Sequence, residues 1–80
     1  MKIPRDVSAA ELMKRIKILG YEVTRQTGSH LRLTTEMQGQ HHITIPNHNP
    51  IKIGTLSTII GEIAEHFKKP KEEILSLLFE

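Results

Sequence analysis

Between residues 21 and 45, apolar and polar residues alternate in three short runs, and two glycines and a proline separate and end those runs. The runs are Tyr21-Glu22-Val23-Thr24-Arg25-Gln26, His30-Leu31-Arg32-Leu33-Thr34 and His41-His42-Ile43-Thr44-Ile45. Each has the period of two that sends successive side chains to opposite faces of a sheet. Thr27-Gly28-Ser29 and the polar stretch 36–40 around Gly39 are short enough to be hairpin turns. Pro46 has no N–H to give to a ladder and ends the third run. Three strands joined by hairpins make an antiparallel sheet, which leaves few architectures open.

Helical signals flank the sheet. Ser8-Ala9-Ala10-Glu11 matches a capping box, and Ala9, Leu12, Met13, Ile16 and Leu19 follow at helical spacing until Gly20. This predicts a first helix over about residues 9–19. Pro46-Asn47-His48-Asn49-Pro50 reads as a stiff polar loop. Leu56, Ile59, Ile60, Ile63 and Phe67 predict a second helix over about 56–68, with Thr55 as its candidate cap. Pro70 stops it and suits the first turn of a short third helix over about 71–79, carrying Ile74, Leu77 and Leu78. The order is α-β-β-β-α with a short extra C-terminal helix. The economical packing is an α+β fold with the helices on one face of the sheet and the other face open to water.

Strand parity sorts the side chains. Val23, Leu31, Leu33, Ile43 and Ile45 are expected to face the helices, and Glu22, Thr24, Gln26, His30, Arg32, Thr34, His42 and Thr44 the open side. His41 has the apolar parity but stands first in its strand, where fraying is expected. His42 falls on the same face as His30 in the neighbouring strand.

Eighty residues suffice for one domain, spanning 1–80. The absence of cysteine excludes disulfides, thiolate metal sites and cysteine nucleophiles, and a small domain without them fits a reducing cytoplasm. Met1-Lys2-Ile3-Pro4-Arg5-Asp6 has no apolar run of a signal peptide, and no later stretch is long enough to span a membrane. The formal net charge of +2 is unevenly spread: residues 1–34 hold seven Lys/Arg against three Asp/Glu, and residues 35–80 four against six. A basic first part suits a polyanion, although ordinary solvated charge explains it as well.

The open face carries the ingredients for work on a phosphodiester. His30, leading a strand out of the Gly28-Ser29 turn, can take or give a proton, and Arg25 or Arg32 can hold a phosphate. RNA supplies its own nucleophile, the 2′-hydroxyl, so neither a metal ion nor a protein nucleophile is required. The plainer alternative is an ordinary exposed hairpin histidine. His41 and His42 point to opposite faces and have no carboxylate at ligand spacing, so no metal site is expected. Ser29 beside His30 lacks an acidic third member for nucleophilic catalysis and better suits a phosphate contact or the turn itself. Lys14, Arg15 and Lys17 on the first helix are candidate RNA contacts or a solvated face. His48 either fixes its loop or lies near an RNA path. Ile74, Leu77, Leu78 and Phe79 close the core, and any part left exposed offers a surface to a partner or a second copy, a homodimer included.

At Arg25-Gln26-Thr27-Gly28-Ser29-His30 the sequence resembles the HicA family of mRNA interferase toxins. The resemblance extends through Leu19-Gly20-Tyr21 at the end of the first helix, Ile45-Pro46-Asn47-His48 after the third strand, and Lys52-Ile53-Gly54-Thr55-Leu56 before the second helix. It implies a fold like the double-stranded-RNA-binding domain. It also implies a metal-independent, cofactor-free endoribonuclease whose essential histidine is His30, and a HicB-like antitoxin partner. A non-catalytic RNA-binding or protein-interaction domain on the same fold is the alternative.

Overall fold

The computed structural model describes residues 2–80; Met1, the first residue of the N-terminal segment read above, lies outside the described residues. Helix α1 (Ala9–Arg15) opens as the capping box requires, with the Ser8 hydroxyl accepting from the Glu11 N–H at 3.1 Å. Its last turn tightens into a 3-10 segment, Ile16–Leu19, which ends at Gly20 with φ +83°. Only glycine fits there. A Cβ at Gly20 would lie 2.6 Å from Thr35 Oγ1 and 2.9 Å from Met37 Sδ.

Strands β1 (Glu22–Thr27), β2 (His30–Thr35) and β3 (His41–Pro46) form an antiparallel sheet in the order β1-β2-β3. Helix α2 (Ile53–Phe67) and helix α3 (Lys71–Phe79) complete the chain. The expected α+β order is therefore present, including the extra C-terminal helix. Leu31, Leu33, Ile43 and Ile45 join Leu12 and Ile16 of the first helix, Leu56, Ile60 and Ile63 of α2, and Ile74 and Leu78 of α3 in one buried cluster. All three helices thus cover one face of the sheet. Arg32, His42 and Thr44 are exposed on the other.

Four expectations are corrected. Val23 has the helix-side parity, opposite Leu33, yet it is 48% exposed. The helices cover β2 and β3, and β1 is an edge strand exposed along its whole length. Gln26 pairs with Leu31 rather than joining the open face, because a bulge between Val23 and Arg25 shifts the register by one residue. Helix α2 starts at Ile53, and Thr55 does not cap it. The Ile51 N–H bonds the Val7 carbonyl at 2.8 Å, which anchors the chain just ahead of the helix, and Gly54 falls in the first turn. Tyr21 is fully buried ahead of β1 instead of opening the strand.

Candidate nucleic-acid interface on the open sheet face

His30 owes its position to a two-residue turn. Thr27 and His30 pair across it, and Gly28 takes φ +54°, the positive value that tight hairpin loops favour. On its other side His30 pairs with Pro46, and the Asn47 N–H bonds the Ser29 carbonyl at 2.6 Å. The loop after β3 is therefore held against the turn. His30 stands exposed at the head of the central strand, and its imidazole has no hydrogen-bond partner among the described residues.

The bulge brings a second feature to the same face. Thr24 and Arg25 together oppose Arg32, so Arg25 pairs directly with Arg32 instead of alternating away from it. Neither guanidinium has an ion-pair partner among the described residues. With Thr24, Thr34, Glu36, Gln40 and His42 the two arginines line a shallow cavity of about 430 Å³.

Side-chain hydrogen bonds cross all three strands beside this pair. The Thr24 hydroxyl donates to the Arg32 carbonyl at 3.4 Å and lies 2.8 Å from the Thr34 hydroxyl. Thr34 Oγ1 in turn lies 2.7 Å from His42 Nδ1. His42 pairs with Thr34, four residues along β2 from His30. At the rise of an extended strand the two histidines are about 13 Å apart. They share a face, as parity predicts, but they are not neighbours.

The other candidates sit elsewhere. Ser29 lies in the turn beside His30, exposed. Lys14, Arg15 and Lys17 belong to the helical layer. The first helix starts beside the β3–α2 loop, where the Ala9 N–H bonds the His48 carbonyl at 3.1 Å, and runs toward Thr35 at the far end of β2. Lys14 and Lys17 are exposed on it. Arg15 is already engaged: its Nε meets Glu11 at 2.9 Å, its Nη1 donates to the Leu78 carbonyl at 2.9 Å, and its guanidinium lies 5.1 Å from the centre of the Phe79 ring. It ties α1 to α3. His48 steadies its loop through its backbone, donating to the Pro46 carbonyl and accepting from Ala9, while its ring is exposed.

One cluster escaped the sequence reading. His41 is not frayed. Its Nδ1 lies 2.8 Å from the hydroxyl of buried Tyr21, and its ring stacks on His66 of α2 at 4.4 Å and 9°. His66 Nε2 donates to the Met37 carbonyl at 2.9 Å. Burial, assisted by Glu62, pushes the Tyr21 hydroxyl up to about 12. Burial and then the neighbouring His66 hold His41 below the usual imidazole range, against the opposing pull of Glu62 and Glu65. The signal was present: His41 shares the parity of Ile43 and Ile45, and His66 stands three residues beyond Ile63 on the apolar stripe. No three His, Asp or Glu side chains converge as a metal-ligand set among the described residues. No helix is long and apolar enough to cross a membrane among those residues.

A helix-backed antiparallel sheet whose open face holds an exposed histidine and an unneutralised arginine pair defines a small basic α+β domain. A family model described as the HicA toxin of bacterial toxin-antitoxin matches residues 9–65, which includes every residue of that face. The chain belongs to the HicA toxin family. Helix α3 lies beyond the matched segment. No curated protein and no solved structure matches the chain.

Proposed function

We propose that this chain is a metal-independent RNA endonuclease, the toxin of a type II toxin–antitoxin pair, acting in the cytoplasm and held inactive by a HicB-like antitoxin. The observation that carries the reading is the position of His30. It is exposed at the head of the central strand, on the face that also holds Arg25 and Arg32, in a chain of the HicA family. Family membership supports a toxin with an antitoxin partner, and the site chemistry supports the reaction.

The reaction needs little from the protein. The 2′-oxygen bonds to the adjacent phosphorus and the bond from phosphorus to the 5′-oxygen breaks. The products are a 2′,3′-cyclic phosphate and a 5′-hydroxyl. His30 either takes the 2′-hydroxyl proton or delivers one to the departing 5′-oxygen. Arg32, two residues along the same face, and Arg25 opposite it offset the charge gathering on the phosphoryl oxygens. Ser29 offers a hydroxyl to the same group.

The test compares wild type with His30→Ala on RNA, with and without a chelator. Cleavage by wild type alone, unchanged by chelator and leaving cyclic phosphate ends, is expected. Equal cleavage by both proteins removes His30 from catalysis, and loss of cleavage with chelator removes the metal-independent mechanism. A second reading, a non-catalytic RNA-binding or protein-interaction domain, is favoured by one observation: no side chain among the described residues hydrogen-bonds the His30 ring to orient it. It predicts salt-dependent RNA retention without scission, and no effect of His30→Ala on retention.

A further inference from the structure

A relay of side-chain contacts crosses the three strands. The Thr24 hydroxyl lies 2.8 Å from the Thr34 hydroxyl and 3.4 Å from the Arg32 carbonyl, and Thr34 Oγ1 lies 2.7 Å from Nδ1 of His42. With Nδ1 engaged by Thr34, Nε2 is the ring nitrogen left for a ligand.

An exposed imidazole held in this way needs a reason. Water satisfies exposed hydroxyls and imidazoles equally well, and fixing an exposed ring costs rotamer entropy. The cavity beside it is lined by Arg25 and Arg32, paired across the two strands, a like-charge arrangement that is unfavourable until an anion joins it. The separation of about 13 Å from His30 is too long for both histidines to act on one phosphodiester. It suits a chain of phosphates that runs along the sheet. Glu36, hydrogen-bonded to Gln40 at 3.1 Å, borders the cavity and marks where a polyanion should turn away.

We infer that His42, positioned by Thr34 and Thr24, is a second RNA-backbone subsite that holds a non-reacting phosphate of the strand whose scissile bond lies at His30, with Arg25 and Arg32 set between the two phosphates. The imidazole donates from Nε2 to a phosphate oxygen while Nδ1 keeps its bond to Thr34. His42 binds and does not react, and Thr34 and Thr24 are positioning residues. The inference rests on the RNA reading above, but its test does not depend on cleavage.

The full chain is titrated with a hexanucleotide methylated at every 2′-oxygen, which cannot be cleaved, using wild type, His42→Gln, Thr34→Val and His30→Ala. His42→Gln is expected to weaken binding about tenfold, the worth of one charge-assisted hydrogen bond. Thr34→Val is expected to weaken it less. If wild type cleaves, His42→Gln should raise KM on an unmodified hexanucleotide with kcat unchanged, and should leave cleavage of a dinucleotide untouched. Nitrogen-15 NMR should show the His42 Nδ1 resonance shifted in Thr34→Val, with the His30 ring resonances unmoved. Hexanucleotide binding unchanged by His42→Gln, equal loss on the dinucleotide and the hexanucleotide, or a His42 Nδ1 resonance unmoved by Thr34→Val each overturns the subsite. Binding by wild type without cleavage removes the nuclease reading and leaves the subsite standing. No binding by wild type overturns both.

Discussion

Arg25 and Arg32 pair directly across β1 and β2, two positive side chains opposed on an exposed sheet face with no carboxylate partner among the described residues. Cross-strand pairs of like charge destabilise a sheet, by roughly the few tenths to 1 kcal/mol that opposite charges would contribute. Such a pair is explicable where an anion is the intended third party.

That juxtaposition predicts a trade between stability and binding. Arg25→Thr, which keeps a good strand former on an exposed edge, should stabilise the free protein by about 0.5 kcal/mol in urea denaturation at low salt. The gain should shrink at high salt, where the repulsion is screened. RNA affinity should fall in the same variant, with a shallower dependence on salt. A variant less stable than wild type at low salt would contradict the repulsion.

Arg15 should behave in the opposite way. Its bonds to Glu11 and the Leu78 carbonyl and its place over Phe79 make it a tie between α1 and α3. Arg15→Ala should cost about 1–2 kcal/mol, since it also leaves the Leu78 carbonyl without its partner. RNA binding at a temperature where the variant is folded should change little. A large loss of affinity with stability intact would return Arg15 to the interface.

Gly20→Ala tests the close approach between the first helix and the end of β2. The substitution places a Cβ at φ +83° against Thr35 Oγ1, the atom that donates to the Leu19 carbonyl at 2.6 Å and accepts from the Met37 N–H at 3.1 Å. Strain and the disturbed buried hydroxyl together should lower stability by about 2–4 kcal/mol. Gly28→Ala has open space for its Cβ and only the backbone strain to meet, so thermal unfolding should rank it well above Gly20→Ala.

Acid should loosen the Tyr21–His41–His66 cluster. His41 is held below its usual range in the folded protein, so the unfolded chain binds the proton first as pH falls. The contribution of His41 is complete above its unfolded pKa of about 6.5 and is lost as pH drops from there through the folded value. The groups that act on it are Tyr21, His66, Glu62 and Glu65 on its own side, and His42 through the sheet. His41→Phe should flatten the stability profile between pH 7 and pH 5, and an unchanged slope would assign the acid sensitivity to another group.

Tyr21 sets the alkaline limit. Its folded pKa of about 12 lies above the ordinary value of 10.0, so its contribution is complete below pH 10 and is lost as pH rises toward 12. Tyr21→Phe should start less stable, having lost the bond to His41, and should then lack this alkaline loss. Unfolding followed by circular dichroism between pH 9 and pH 12 would show it.

Much of this protein follows from local rules. Period-two alternation and its breaks at Gly28, Gly39 and Pro46 are enough for three strands in hairpin order, and the stripes from Ala9 to Leu19 and from Leu56 to Phe67 for the helices that cover them. Parity alone places His30 and Arg32 on the open face, because a central strand buried on one side cannot slip without exposing Leu31 and Leu33. The meeting of Arg25 with Arg32 depends on one extra residue at Thr24, and counting alternation along a single strand cannot reveal a bulge that exists only against a partner. The same holds for Val23, apolar by pattern but left uncovered at an edge, and for the spacing of His42 from His30, which is a matter of register. Tyr21, His41 and His66 come together only when α2 docks on the sheet, so their shared hydrogen bond and stacking belong to the tertiary structure. Sequence determined which groups this face could offer; packing and register decided which of them stand together.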